Sequence, residues 1–372
     1  MLFRSVLIGR GGSDLLDGGR GTDIASYIQS ETGVTASLLN GTNSEGDTYR
    51  SIEGLQGSQF NDVLVGDNNS NILDGLGGDD VIITGQGDNI VYGGAGDDLI
   101  EARNGNDTND GGDGDDTISL GNGPDQGTGG AGDDTIYGGR GPDTLSGGDG
   151  DDTLFGGGAR DVLSGGDGND TLDGGANNDT MYGDDGDDTL ILTSGNDTAY
   201  GGQDSDTFYV TAGNHYIVGG ENDDDSDIDV LDLSGAGNYT VEFTGPESGF
   251  IYFLNDQGHV YRTTEFKEIE RIICFTPGTG IATMQGQRAV EDLRVGDRVF
   301  TRDNGAQKIR WIGRKKISLG TGTLSQKLQP ILIRSGALVH GLPDHDMLVS
   351  PNHRMLLTSK RAQLYFGESE VL

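Results

Sequence analysis

From Asp98 to Asp206 an aspartate returns at every ninth position, through Asp107, Asp116, Asp125, Asp134, Asp143, Asp152, Asp161, Asp170, Asp179, Asp188 and Asp197, and Asp80 stands in the same slot upstream. Carboxylates at fixed spacing among glycines are the donors a hard divalent cation takes. Calcium accepts about six to eight oxygens from carboxylates and backbone carbonyls, and glycine lets the carbonyls approach. A different chemistry is available further along, where the chain has its single cysteine, Cys274. A thiolate is a nucleophile that can take the acyl group of an amide, provided the leaving nitrogen is protonated.

The aspartates need an element that repeats with them. Segments such as Gly93-Gly-Ala-Gly-Asp-Asp-Leu-Ile-Glu101 and Gly111-Gly-Asp-Gly-Asp-Asp-Thr-Ile-Ser119 show the unit, and its register holds from Gly57 to Tyr209. Six glycine, aspartate and small polar residues make a tight turn, and the last three positions make a short strand. Side chains alternate across a strand, so the middle residue of the three is expected to point inward. Those residues include Ile82, Val91, Ile100, Ile118, Ile136, Leu145, Leu154, Leu163, Leu172, Met181, Leu190 and Phe208. Two units then close one coil with a strand on each side, and coils stack at about 4.8 Å. Aspartates one coil apart repel until a cation sits between them, so folding and metal binding are expected to be one event.

The pattern GGxGxDxUx, with U a large apolar residue, is a known calcium-binding nonapeptide signature, and residues 9–209 resemble the β-roll of RTX proteins. Fold class on this reading is all-β: a parallel β-roll, then a β-rich cap, then a partial all-β domain. The expected segments are 1–56, worn repeats and an interrupting β segment; 57–209, the roll; 210–273, the cap; and 274–372, a separate domain. In the interrupting segment the runs 33–39 and 49–55 are expected as strands. The resemblance implies Ca2+ as the ligand, export by a type I secretion machinery and an extracellular location where weak calcium sites are filled.

Alternate units fall on opposite edges, and the edges differ. One edge begins its turns at Gly75, Gly93, Gly111, Gly129, Gly147, Gly165, Gly183 and Gly201 and is rich in aspartate. The other begins at Thr84, Ala102, Leu120, Gly138, Gly156, Gly174 and Leu192, carries Arg103, Arg140 and Arg160, and has weak inward residues at Asn109, Gly127 and Ala199. The continuous ion row is therefore expected on the first edge, with arginine partly replacing cations on the second.

The net charge of −37 is uneven: residues 274–372 carry 14 Lys+Arg and 8 Asp+Glu, or +6, which leaves −43 for residues 1–273. So acidic a surface speaks against nucleic acid as a partner. Low hydrophobicity with high charge would favour disorder, which the strict register opposes while calcium is present. One cysteine forms no intrachain disulfide, and no apolar run reaches the length of a membrane span. Neither His-Glu-x-x-His nor a strand-to-helix Gly-x-Ser-x-Gly occurs, so no conventional turnover enzyme is read.

Cys274-Phe-Thr-Pro-Gly-Thr-Gly-Ile-Ala-Thr283, Ala289-Val-Glu-Asp-Leu-Arg-Val-Gly-Asp-Arg-Val299, Arg310-Trp-Ile-Gly313 and Leu348-Val-Ser-Pro-Asn-His-Arg-Met-Leu356 together resemble a bacterial Hedgehog/intein (Hint) domain. That resemblance implies attack by Cys274 on the carbonyl of Ile273 to give a thioester. Ser350 would bind the scissile amide and His353 would protonate the departing nitrogen, in a Ser-x-x-His block where the family has threonine. The chain ends 99 residues from Cys274 inclusive and lacks a terminal His-Asn pair, so the domain is expected to be C-terminally incomplete, impaired in cleavage and unable to splice. The alternative is a structural or adhesive calcium-binding protein with an inactive Hint remnant.

Overall fold

A computed structural model describes residues 4–273, apart from 212, 221–226, 234–235, 237–238, 256 and the side chain of Ile273, and beyond 273 the backbones of six strands. Two compact units, Met1–Ile273 and Cys274–Leu372, make up the chain. The first is a β-solenoid of two facing sheets, each of 15 strands, with no helix among the described residues. Within the roll every strand pairs in parallel with the strand two positions on, 18 residues away, so each side chain stacks on its own slot in the next coil. In one sheet the inward column runs Leu64, Ile82, Ile100, Ile118, Ile136, Leu154, Leu172, Leu190, Phe208, Leu231 and Ile272. The other holds Leu55, Leu73, Val91, Asn109, Gly127, Leu145, Leu163, Met181, Ala199, Ile217 and Phe266. Burial along these columns is nearly complete, and they meet as one continuous core.

Strands in the middle coils are longer than the three residues expected. Ile90–Ala95, Thr117–Asn122 and Thr135–Arg140 each span six, so a second inward position appears two residues after the first. This is the first residue of the next turn: a glycine at most sites, and Leu120 or Leu192 where space allows. Gly111 shows the constraint, since a Cβ there would collide with Asp116 Oδ2 and lie 2.7 Å from the Gly129 carbonyl oxygen. Gly112 beside it has φ 119°, a backbone shape that glycine takes without steric cost.

The interrupting segment winds with the solenoid. Thr35–Ser37 pairs in parallel with Val63–Val65, and Thr42–Asn43 and Thr48–Arg50 form antiparallel strands beside it in the same sheet. The expected run 49–55 splits, because its second half, Gly54–Gln56, crosses to the other sheet. At the far end Tyr239–Phe243, Gly249–Leu254 and Val260–Lys267 form an antiparallel meander that closes one sheet, burying Ile251, Phe253 and Phe266. Val230–Asp232 and Arg271–Ile273 close the other. Antiparallel strands and the charged tips of a meander blunt an edge that would otherwise recruit other chains.

In the second unit, Gly280–Thr283, Gly286–Ala289, Arg298–Thr301 and Gly305–Lys308 form a four-stranded sheet, and Ile331–Ile333 pairs with Met347–Val349. Cys274, Ser350 and His353 lie outside the described residues.

Candidate metal centre

Each aspartate of the nine-residue slot sits at the base of a turn, just before the strand whose second residue enters the core. Strand pairing with an 18-residue shift stacks these aspartates one coil apart, and the stack has one repeated geometry. Oδ1 accepts the backbone N–H of the aspartate one coil earlier: Asp98 N to Asp116 Oδ1, Asp116 N to Asp134 Oδ1 and Asp134 N to Asp152 Oδ1 are all 2.7 Å. Asp80, Asp170, Asp188 and Asp206 continue that row on the first edge. Asp107, Asp125, Asp143, Asp161, Asp179 and Asp197 build the same row on the second, at 2.7–3.0 Å.

Oδ2 tells more. In Asp80, Asp98, Asp116, Asp134, Asp152, Asp170, Asp188 and Asp206 it is buried with no hydrogen-bond partner, and the same holds for Asp107, Asp125, Asp143, Asp161 and Asp179. These side chains are 0–3% exposed. A buried carboxylate oxygen left unpaired costs several times what a paired one does, so the row calls for a positive partner. At Gly93, Gly111 and Gly147 the unpaired Oδ2 and the carbonyl of the glycine one coil on converge where a Cβ would stand. Carboxylate and carbonyl oxygens on a glycine-lined cradle are a hard, all-oxygen donor set, which fits calcium. Among the described residues no three acidic, histidine or cysteine side chains gather at one point, so carbonyls must complete the coordination.

Burial governs the charge state. It pushes Asp116, Asp143, Asp152, Asp170, Asp179 and Asp188 up to about 7 and Asp98, Asp125 and Asp134 to about 6, against the backbone hydrogen bond that favours the anion. Asp107 and Asp161 are raised for the same reason. Asp206 reaches about 9, through burial and then the neighbouring Asp229 and Asp188 carboxylates.

The two edges share this inner row, and they part in three respects. All eight first-edge turns from Gly75 to Gly201 open with glycine, whereas Thr84, Ala102, Leu120 and Leu192 put a side chain there on the second. An outer row on the first edge links Asp79, Asp97, Asp115, Asp133 and Asp151, each Oδ1 accepting the N–H of the residue one coil later. On the second edge Pro124 and Pro142 interrupt that row, having no N–H to give. Arginine does not compensate as expected: Arg103, Arg140 and Arg160 are exposed and form no ion pair among the described residues.

Three positions at the row ends depart from the repeated geometry. Asp62 takes the Ser58 N–H at 2.5 Å and the Ser58 hydroxyl at 3.0 Å. Asn89 stands in an aspartate slot and donates its amide to Asp107 Oδ1 at 2.9 Å. His215 is buried 18 residues after Asp197 and stands in for the next aspartate of the row: its Nδ1 accepts the Asp197 N–H at 3.2 Å and lies 3.1 Å from Asp197 Oδ2. Asp197 is accordingly the member of the predicted set whose neighbour one coil on is an imidazole in place of a carboxylate.

Three acids in the rows, the buried Asp47 and Asp229 and the half-buried Glu270, lie off the nine-residue register. Asp47 Oδ1 takes the Asp14 N–H across 33 residues, Asp229 Oδ1 the Asp206 N–H across 23, and Glu270 Oε2 the Asp229 N–H across 41. A local signal does exist. Asp47-Thr-Tyr-Arg50, Asp229-Val-Leu-Asp232 and Glu270-Arg-Ile-Ile273 each keep the acid, then an apolar residue two positions on, which ends every unit of the roll.

Family comparison agrees with this geometry. RTX calcium-binding nonapeptide repeats match residues 4–25, 55–82, 75–108, 92–126, 128–163, 155–190 and 191–225, just over half of the chain, and a Hint domain matches residues 273–372. No curated protein matches the chain. With its 18-residue coils, glycine cradles and stacked aspartates, the chain belongs to the RTX calcium-binding nonapeptide repeat family and carries a Hint domain after the roll.

Proposed function

We propose that this is a secreted protein whose roll folds as calcium fills the aspartate rows, and whose Hint domain cuts the chain once between Ile273 and Cys274. The observation that carries the calcium half is the row of buried carboxylate oxygens without partners on both edges. Asp80, Asp98, Asp116, Asp134, Asp152, Asp170, Asp188 and Asp206 would hold ions on one edge, and Asp107, Asp125, Asp143, Asp161 and Asp179 on the other, with glycine carbonyls completing each shell. Asp197 would contribute least, since the row one coil on offers the His215 imidazole in place of a carboxylate. Millimolar calcium outside the cell suits weak sites of this kind, which supports export through a type I system; among the described residues no helix is long and apolar enough to cross a membrane.

The Hint match and the residues at its start support the cleavage half of this reading. The Cys274 thiolate attacks the Ile273 carbonyl carbon; the C–N bond breaks, its nitrogen takes a proton from His353, and a thioester replaces the amide. Ser350 positions the scissile amide through its hydroxyl. Water or an added thiol then releases residues 1–273. Intact-mass measurement of the expressed chain tests this: a fragment ending at Ile273 is expected, released faster with dithiothreitol, abolished by Cys274→Ala and slowed at least about 100-fold by His353→Ala. Cleavage that persists in Cys274→Ala overturns the mechanism. A chain that stays whole under all conditions leaves a structural or adhesive calcium-binding protein with an unreactive Hint domain.

A further inference from the structure

Matched nonapeptide repeats stop at residue 25 and resume at residue 55. The chain between them winds with the solenoid and adds two short antiparallel strands, Thr42–Asn43 and Thr48–Arg50, a pairing that the parallel roll does not contain. Beside them opens a cleft of about 430 Å³, shared with the turn at residues 67–71. That volume lies in the range of small-molecule clefts, about 300–1,000 Å³.

The second edge changes character here. Asparagine stands at positions 71 and 89, where the later coils have aspartate, so the cleft lies beyond that edge's run of unpaired carboxylate oxygens. Its polar wall is tied together in advance. Asp67 accepts the Asn69 N–H on Oδ1 and the Asn69 side-chain amide on Oδ2, both at 2.8 Å. The buried Asn71 takes the Asp67 N–H at 2.8 Å and reaches back to Asp67 Oδ1 at 3.3 Å. Glu53 spends Oε2 on the Asp23 N–H at 2.9 Å, which fixes the side chain and leaves Oε1 for a ligand. The apolar part of the wall includes Ile52 and Tyr49. Because the Tyr49 hydroxyl is committed to that of the buried Tyr27 at 2.5 Å, Tyr49 offers the cleft its ring rather than a free phenol.

This wall selects for hydroxyl groups. Carboxylates accept from a hydroxyl, amides both donate and accept, and an aromatic ring packs on the C–H face of a pyranose. Among the described residues no lysine, arginine or histidine lines the cleft, so an anionic ligand would meet two carboxylates without a counter-charge. A cation would meet amide N–H donors as well as carboxylates. We propose that the cleft binds a neutral sugar unit, with Glu53, Asp67 and Asn69 on its hydroxyls and Tyr49 against its C–H face. The segment that interrupts the repeats thereby gives the roll a glycan-binding site in addition to its calcium rows.

An array of immobilised glycans, probed in saturating calcium with the full chain carrying an N-terminal tag, tests this. The tag stays with the roll whether or not the chain is cut. Glycans ending in a neutral hexose or N-acetylhexosamine are expected to retain the protein, and the corresponding free sugar to compete. Glycans ending in a uronic or sialic acid are expected not to retain it. Asp67→Asn and Asn69→Ala should each weaken retention about tenfold, the first by removing a charged acceptor and the second by removing an amide partner. Tyr49→Phe keeps the ring and should bind as wild type does, whereas Tyr49→Ala should not. The calcium midpoint for folding, read by circular dichroism, should be the same in all four variants. Should Asp67→Asn move it, Asn69→Ala, at an exposed position, decides the matter. Retention of no neutral glycan overturns the proposal, as does preference for acidic glycans. Wild-type retention by Asn69→Ala and Tyr49→Ala overturns it too, because binding then lies elsewhere on the chain.

Discussion

Asn109 shows what one residue can cost in a repeat. It occupies an inward slot between Val91 and Gly127 in adjacent coils, is 1% exposed, and neither amide atom has a hydrogen-bond partner. An amide buried this way loses its water without gaining a donor or acceptor. Asn109→Leu, close in size and apolar, is expected to stabilise the roll by about 1–3 kcal/mol. Thermal melting at fixed calcium measures the change; a lower melting temperature would show that the amide is better accommodated than an isobutyl group. The outward neighbours follow a different logic: Tyr137 and Phe155 stack at 5.0 Å and Tyr182 and Tyr200 at 5.2 Å, because 18-residue pairing places like on like.

At the scale of the turn, the two edges test how much the cradle contributes beyond the aspartate itself. Both carry the inner row, whereas only the first edge has glycine at the start of all eight turns and an outer row without proline. Asp116→Ala and Asp134→Ala are therefore expected to raise the calcium midpoint for folding more than Asp107→Ala and Asp125→Ala, by a further factor of about 3–10. Titration followed by circular dichroism reads it, and equal shifts on both edges would show that the glycine cradle carries no energetic weight. The edge difference was legible in the turn sequences. Its assumed cause was only partly so: Arg103, Arg140 and Arg160 suggested counter-charges, but their exposed side chains reach no carboxylate among the described residues.

For the roll as a whole, removing calcium and lowering pH act on the same carboxylates. Burial raises the folded-state values of the inner aspartates to about 6–7 from an ordinary value near 4. A carboxyl whose folded pKa is raised is more protonated when folded, so its unfavourable contribution is absent below the ordinary value and grows as pH rises through the folded value. In excess chelator the roll is expected to be unfolded at pH 7.5 and to regain β-signal as pH falls from about 7 toward 4. Calcium must displace these protons, so its affinity should fall over the same window. Circular dichroism in chelator across pH measures the first effect. Native signal in chelator at pH 7.5, or none gained at pH 4.5, would show that carboxylate repulsion is not what opposes the calcium-free fold.

Sequence alone determined the coil, the inward column and the inner aspartate slot, because each repeats within nine residues and a parallel stack of identical units admits only one register that keeps apolar residues inside. By resemblance in ordered motifs it also pointed to a Hint domain from Cys274 onward, which the family comparison bears out over residues 273–372. Tertiary structure decided which oxygen of each aspartate is satisfied and which is left for a cation, since that depends on the coil above rather than on the turn itself. It decided, too, how the rows end. Ser58, Asn89 and His215 meet carboxylates there, while Asp47, Asp229 and Glu270 enter across separations of 33, 23 and 41 residues. No nine-residue count reaches such partners, because insertions change the distance along the chain while the stacking distance between coils stays the same.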